Sequence, residues 1–227
     1  CDRFTGELIW STPGKSEASA YCNPILAKIN GIEYFITMTD KSALSINAET
    51  GELAWTYPLE GIKNGAHANT PYYRDGHLFL MDGFEIGCLM LKIADDGMSA
   101  ERVWKNELMD ETQGHSVVIG DRIYGSAESK KKTLCLDWNT GEVLFELKKF
   151  APGTLISADN YLYAYTYNGV LGIIEITENE LIDKGSIKLE KKTPIHISHP
   201  VIHNGILYVR YANELKAFNI KEKHNRL

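Results

Sequence analysis

The chain has 227 residues, 44% of them hydrophobic, which suffices for one large domain or two small ones with a real core. A formal net charge of -6 with both signs scattered excludes the clustered basic stripe of a nucleic-acid footprint. No apolar run approaches the roughly 18 to 20 residues of a membrane span, and many Tyr, Gly and short Val/Ile runs favour strands and turns, so the expected class is all-β.

The chain opens inside a motif. Asp2-Arg3-Phe4-Thr5-Gly6-Glu7-Leu8-Ile9-Trp10 places a tight Thr-Gly turn before a strand expected over 7–11 that carries Trp10. The apolar strand that precedes this turn in later copies is missing here. The expectation from this is that upstream sequence has been removed, or that Cys1 is a processed, lipid-bearing terminus. Of the four cysteines, Cys1, Cys22, Cys88 and Cys135, the last two lie in apolar runs and read as small buried hydrophobes.

The unit over 18–57 follows, with strands expected at 24–29, 33–39, 43–47 and 52–57. Its third and fourth strands flank Ser45-Ile46-Asn47-Ala48-Glu49-Thr50-Gly51-Glu52-Leu53-Ala54-Trp55, the best copy of the motif. The unit over 66–107 keeps Trp104 but has a longer link, 94–101, without Thr-Gly. The unit over 113–149 restores Thr140-Gly141, with Phe145 at the tryptophan place, and its Lys130-Lys131-Lys132 run reads as a solvated hairpin tip. The unit over 152–189 has no aromatic on its last strand, and the unit over 196–220 ends after three strands.

Hairpin pairs give an independent ruler. Asn30-Gly31, Asp75-Gly76, Gly120-Asp121, Asp159-Asn160 and Asn204-Gly205 place their second residues 45, 45, 39 and 45 apart. Such pairs supply the positive φ that tight hairpins need. Four-stranded sheets at this period predict a β-propeller of antiparallel blades, one domain over 1–227 with residues 1–12 as an outer strand. About five blades are present, either self-closing through the N-terminal strand or part of a larger, eight-bladed ring. Each motif tryptophan is expected to lie over the turn of the neighbouring blade, with its indole N–H on a carbonyl. Burying such a ring contributes at most about 4 to 6 kcal/mol, from roughly 150–250 Å² at about 25 cal/mol per Å².

The pattern Ala-x-Asp-x-x-Thr-Gly-x-x-x-Trp, carried here by Ser45, Asn47, Thr50, Gly51 and Trp55, resembles the tryptophan-docking motif of the quinoprotein-like (PQQ-like repeat) propellers, a WD40-like architecture. That family holds PQQ-dependent alcohol dehydrogenases and the non-enzymatic outer-membrane assembly lipoproteins. The resemblance implies blade-docking roles for Trp10, Thr50, Gly51, Trp55, Trp104, Thr140, Gly141 and Phe145, and a periplasmic or cell-surface location. It implies either a non-catalytic scaffold for a protein or glycan partner, or a dehydrogenase using PQQ and calcium, part of whose site lies upstream. The enzymes' adjacent-cysteine disulfide is absent from this sequence, and no calcium-ligand set matches, so no catalytic residue, cofactor or metal is assigned.

Functional candidates lie where each blade enters its innermost strand: Tyr21 and Asn23, His67 and Asn69, His115, and His196 with His199. Only His77 and His224 lie clearly outside this frame. Imidazoles gathered at a funnel mouth suit a polar ligand or a metal. The plainer expectation is a solvated polar rim in which the histidines cap strand ends.

Overall fold

The computed structural model describes residues 1–59, 67–190 and 195–221; residue 66, the expected start of the second blade, and His224 lie outside them. Among the described residues every regular element is a β-strand, and no helix is long and apolar enough to cross a membrane. The chain forms two compact units, residues 1–112 and 113–227.

The first unit holds two four-stranded antiparallel meanders. One runs β1 (Ile25–Ile29), β2 (Ile32–Met38), β3 (Ser42–Asn47), β4 (Leu53–Pro58); the other runs β5 (Tyr72–Arg74), β6 (His77–Asp82), β7 (Gly87–Ile93), β8 (Ala100–Asn106). The second unit holds three sheets. They are β9 (Val117–Ile119) to β12 (Val143–Leu147), with β10 (Arg122–Ala127) and β11 (Lys132–Asp137) between, and β13 (Gly153–Ala158), β14 (Tyr161–Thr166), β15 (Val170–Ile176), β16 (Leu181–Lys188). The last is three-stranded: β17 (Val201–His203), β18 (Ile206–Tyr211), β19 (Glu214–Asn219). These all-β sheets, in strict sequence order, are the blades of a β-propeller.

Hairpin chemistry explains the regular spacing. Asn30-Gly31, Asp75-Gly76 and Asn204-Gly205 each hold both residues at positive φ, 48° and 84°, 49° and 75°, 51° and 73°. That is the twist a two-residue antiparallel hairpin demands.

Both faces of the central strands are buried, which is why they read as continuous apolar runs. On β14, Leu162 and Ala164 pack towards β9–β12 with Tyr124, Cys135, Phe150 and Ile174. The alternate residues Tyr163 and Tyr165 pack towards β17–β19 with Leu207, Val209 and Tyr211. In the first unit Tyr34, Ile36 and Met38 of β2 face Leu78, Leu80, Leu91 and Ile93.

One irregularity recurs in every four-stranded blade. The register of the outer strand slips by one residue at Ser45/Ile46, Met90/Leu91, Cys135/Leu136 and Ile173/Ile174, leaving Ala54, Val103, Leu144 and Lys184 without an opposite number. The residue after each bulge is Trp55, Trp104, Phe145 and Gly185. A bulge re-aims the side chain beside it, so these four are structural equivalents, and Gly185 at φ 123° stands where the fourth blade lacks its aromatic.

Residues 7–11, expected as a strand, belong to none of the five sheets. Side chains hold the segment instead: the Trp10 indole N–H donates to Ala48 O at 3.1 Å, and Thr12 Oγ1 donates to Gly51 O at 2.7 Å.

Candidate functional site

Three copies of the turn share one wiring. In the first, Asp2 Oδ1 accepts from Phe4 N and Thr5 N, Gly6 N donates to Asp2 O and Asp2 N to Glu7 O. Asn47 does the same for Glu49 N, Thr50 N and Gly51 N, and Asp137 for Asn139 N, Thr140 N and Gly141 N. A short side-chain acceptor mimics a backbone turn here, and the amides it receives hold the Asp2 carboxyl below its ordinary pKa. The Thr hydroxyl then accepts from the residue after glycine: Glu7 N, Glu52 N and Glu142 N at 3.2–3.3 Å.

The glycine makes room for a ring. A Cβ on Gly51 would lie 2.6 Å from Trp10 Cε3. The second blade departs from the expected pattern. Its longer turn brings Gly97 under Tyr34, whose Cε2 would stand 2.9 Å from a Cβ, while Trp55 is buried with no acceptor for its indole N–H among the described residues. Trp104 is buried against Phe79, ring centroids 6.0 Å apart, and Trp138 is buried in its turn.

Phe145 cannot donate a hydrogen bond, and Arg122 does so in its place. Its guanidinium lies 5.3 Å from the Phe145 ring and donates to Thr177 O at 3.2 Å and Glu178 O at 2.7 Å, the turn between β15 and β16. Strand position alone gives no signal for this arginine, since an Arg on a strand looks the same in sequence whether or not it bridges.

The expected solvated rim divides. Tyr21, Asn23 and His199 are exposed, but His67, Asn69 and His196 are buried at 1%, 3% and 3% exposure. In the first unit His67 Nδ1 faces Asp82 Oδ2 beside a cavity of about 30 Å³, space for about one water, otherwise lined largely by apolar groups such as Met38, Leu80 and Cys88. Asp82 Oδ1 accepts from Gly83 N at 2.9 Å. Asn69 donates from Nδ2 to Met81 O and Glu111 O, at 3.3 and 2.5 Å. These two residues therefore pin the end of β6 from inside. Burial, with Asp110 nearby, pushes the Cys88 thiol far up.

In the second unit the structure brings His115 and His199 together, ring centroids 4.4 Å apart and planes at 61°. Partial desolvation lowers both pKa values, at His199 through its ring against His115 although the residue as a whole is exposed; at His115 the neighbouring His199 adds to this, and at His199 a backbone hydrogen bond with Gln113 opposes it. No group of three or more potential metal ligands gathers among the described residues. His196 is walled in separately. Its Nδ1 shares a 2.6 Å hydrogen bond with Tyr165 Oη, its ring stacks on Tyr211 at 5.7 Å, and it fills the space above Gly169, where a Cβ would lie 2.8 Å away. Burial first, then Lys188, lowers its pKa, while burial pushes the Tyr165 phenol up to about 12. The partners Asp82, Tyr165 and Gly169 lie far from their histidines in sequence and carry no local signature.

Every tryptophan is engaged in a turn or the core, the four cysteines are free and dispersed, and no acidic ligand cluster gathers among the described residues.

A family model described as outer membrane protein assembly factor BamB matches residues 1–151. Among solved structures, BamB from Moraxella catarrhalis is similar at 14% identity and a TM-score of 0.64, covering 86% of this chain and 57% of that one. Sqt1 from Saccharomyces cerevisiae follows at 12% identity, TM-score 0.63, 86% and 59% coverage. The computationally designed Ika8 protein gives 16%, 0.61, 92% and 61%. At these identities the likeness is one of fold, and the chain spans about three fifths of each structure's length. No curated protein matches the chain.

Proposed function

We propose that this chain, which belongs to the family described as outer membrane protein assembly factor BamB, is a protein-binding propeller that serves outer membrane protein assembly without catalysing a reaction. The family match over residues 1–151 is the observation that carries the reading. The blade geometry supports it: bulged outer strands, wired turns and ring-over-glycine contacts make stiff blades, while loops at the strand ends stay free to engage a partner. Of the expected partners, a protein fits better than a glycan, because exposed apolar side chains stand at those ends. Tyr21 is 78% exposed, and Ile195 and Ile197 are 45% exposed. By the same reading the protein works on the periplasmic or cell-surface side.

The test is a photo-crosslinking residue at Tyr21 or Ile197 in the full-length protein in its own cells. Crosslinks to an outer membrane protein or to another component of its assembly support the proposal; crosslinks no different from those placed at the exposed turn residue Glu142 would sink it. Stoichiometric binding of PQQ with calcium, with dye-linked alcohol oxidation, would overturn the non-catalytic part.

A further inference from the structure

We propose that a cleft at the end of the β13–β16 sheet binds a small organic anion, a carboxylate carried on an apolar body. The cleft measures about 620 Å³, within the range of small-molecule sites. Phe150 and Ile195 supply apolar wall, and Lys149, Lys188, Asn168 and Ser186 supply polar groups. No carboxylate lines it among the described residues.

Charge is unbalanced in one direction. Lys149 is fixed by Asp183 and stands 5.1 Å from the Phe150 ring, so its ammonium is held in place. Asp183 is itself committed, to Lys149 and to Gly185 N at 2.9 Å, which holds its carboxyl below the usual range. Lys188 has only the Asn168 carbonyl, leaving its charge uncompensated among the described residues. The Asn168 side-chain amide N and the Ser186 hydroxyl have no partner of their own there, so they are available as donors. Buried His196 adds no competing charge at neutral pH, since burial and Lys188 both favour its neutral form.

The uncompensated Lys188 ammonium, with the Asp183-paired Lys149, an amide and a hydroxyl over an aromatic wall, matches a carboxylate with an aromatic or branched body. Such a group comes as a free organic acid or as the C-terminal residue of a chain. The inference is independent of the proposed role in assembly, and its test does not use a partner protein.

The experiment is a calorimetric and NMR titration of the full-length protein with 4-phenylbutyrate and with N-acetyl-phenylalanine, beside their neutral amides. The acids are expected to bind at least about ten-fold more tightly than the amides, the worth of a charge-assisted contact. Lys188→Gln should weaken acid binding about five-fold or more and leave the amides unchanged. Ile195→Glu, which puts a carboxylate into the cleft, should abolish acid binding in a protein that keeps its amide spectrum. Preference for N-acetyl-phenylalanine assigns a chain terminus as the source, and preference for 4-phenylbutyrate assigns a free acid. Equal binding of acid and amide, or wild-type affinity in both folded variants, overturns the proposal.

Discussion

Gly51→Ala isolates the contact that joins the N-terminal segment to the first blade. Gly51 sits at φ 76°, and an added Cβ would lie 2.6 and 2.7 Å from two Trp10 ring carbons. Two costs follow: about 1–2 kcal/mol for an L-residue in the left-handed region, and about 1–3 kcal/mol for forcing the ring away. Gly31 separates them, because it has φ 84° and nothing within 4 Å of its Cβ position. Gly31→Ala should therefore cost about 1–2 kcal/mol and Gly51→Ala about 2–5 kcal/mol in urea unfolding. In a Trp10→Ala background the Gly51→Ala cost should drop to the Gly31 level, a coupling of about 1–3 kcal/mol. Equal costs at the two glycines, or an additive double mutant, would refute the ring-over-glycine account.

Arg122→Lys should destabilise the second unit by about 1–3 kcal/mol, since an ammonium reproduces neither the fork on the two carbonyls nor the stacking on Phe145; a Phe145→Ala background should shrink that loss in denaturant titration. Tyr165→Phe leaves His196 Nδ1 buried without its partner and should cost about 1–3 kcal/mol in the same assay. His115, His196 and His199 have folded pKa values below the unfolded value near 6.5. Their contribution is therefore complete above pH 6.5 and is lost as pH falls from there through the folded values, so the midpoint should drop on acidification, and His196→Phe should reduce the drop. A thiol reagent at pH 8 should label Cys1 and Cys22 quickly and reach Cys135, whose pKa burial raises to about 11, and Cys88 only on unfolding.

The architecture was legible because its signals are local. Asn-Gly and Asp-Gly pairs fix hairpins, short apolar runs between them fix strands, and the Asp/Asn-x-x-Thr-Gly turn fixes its own hydrogen bonds. The site was less legible because its partners are not. Nothing near His196 announces Tyr165 or Gly169, and nothing near His67 announces Asp82. The bulge that makes Gly185 the equivalent of Trp55 leaves no mark in residue type, so the fourth blade reads only as lacking its aromatic. Substitution across the interface is hidden in the same way: Arg122 replaces an indole donor from a different strand, and Tyr34 covers a glycine that the motif reserves for a tryptophan.

The proposed role is protein binding in outer membrane protein assembly. Its most direct test is the amount of folded outer membrane protein, read by heat-modifiable gel mobility, in source cells with the gene deleted and with it restored. Folded outer membrane protein should fall on deletion and recover with the full-length protein, but not with a version carrying Tyr21→Asp and Ile197→Asp that keeps wild-type stability. Unchanged levels on deletion, or full recovery with that version, would contradict it.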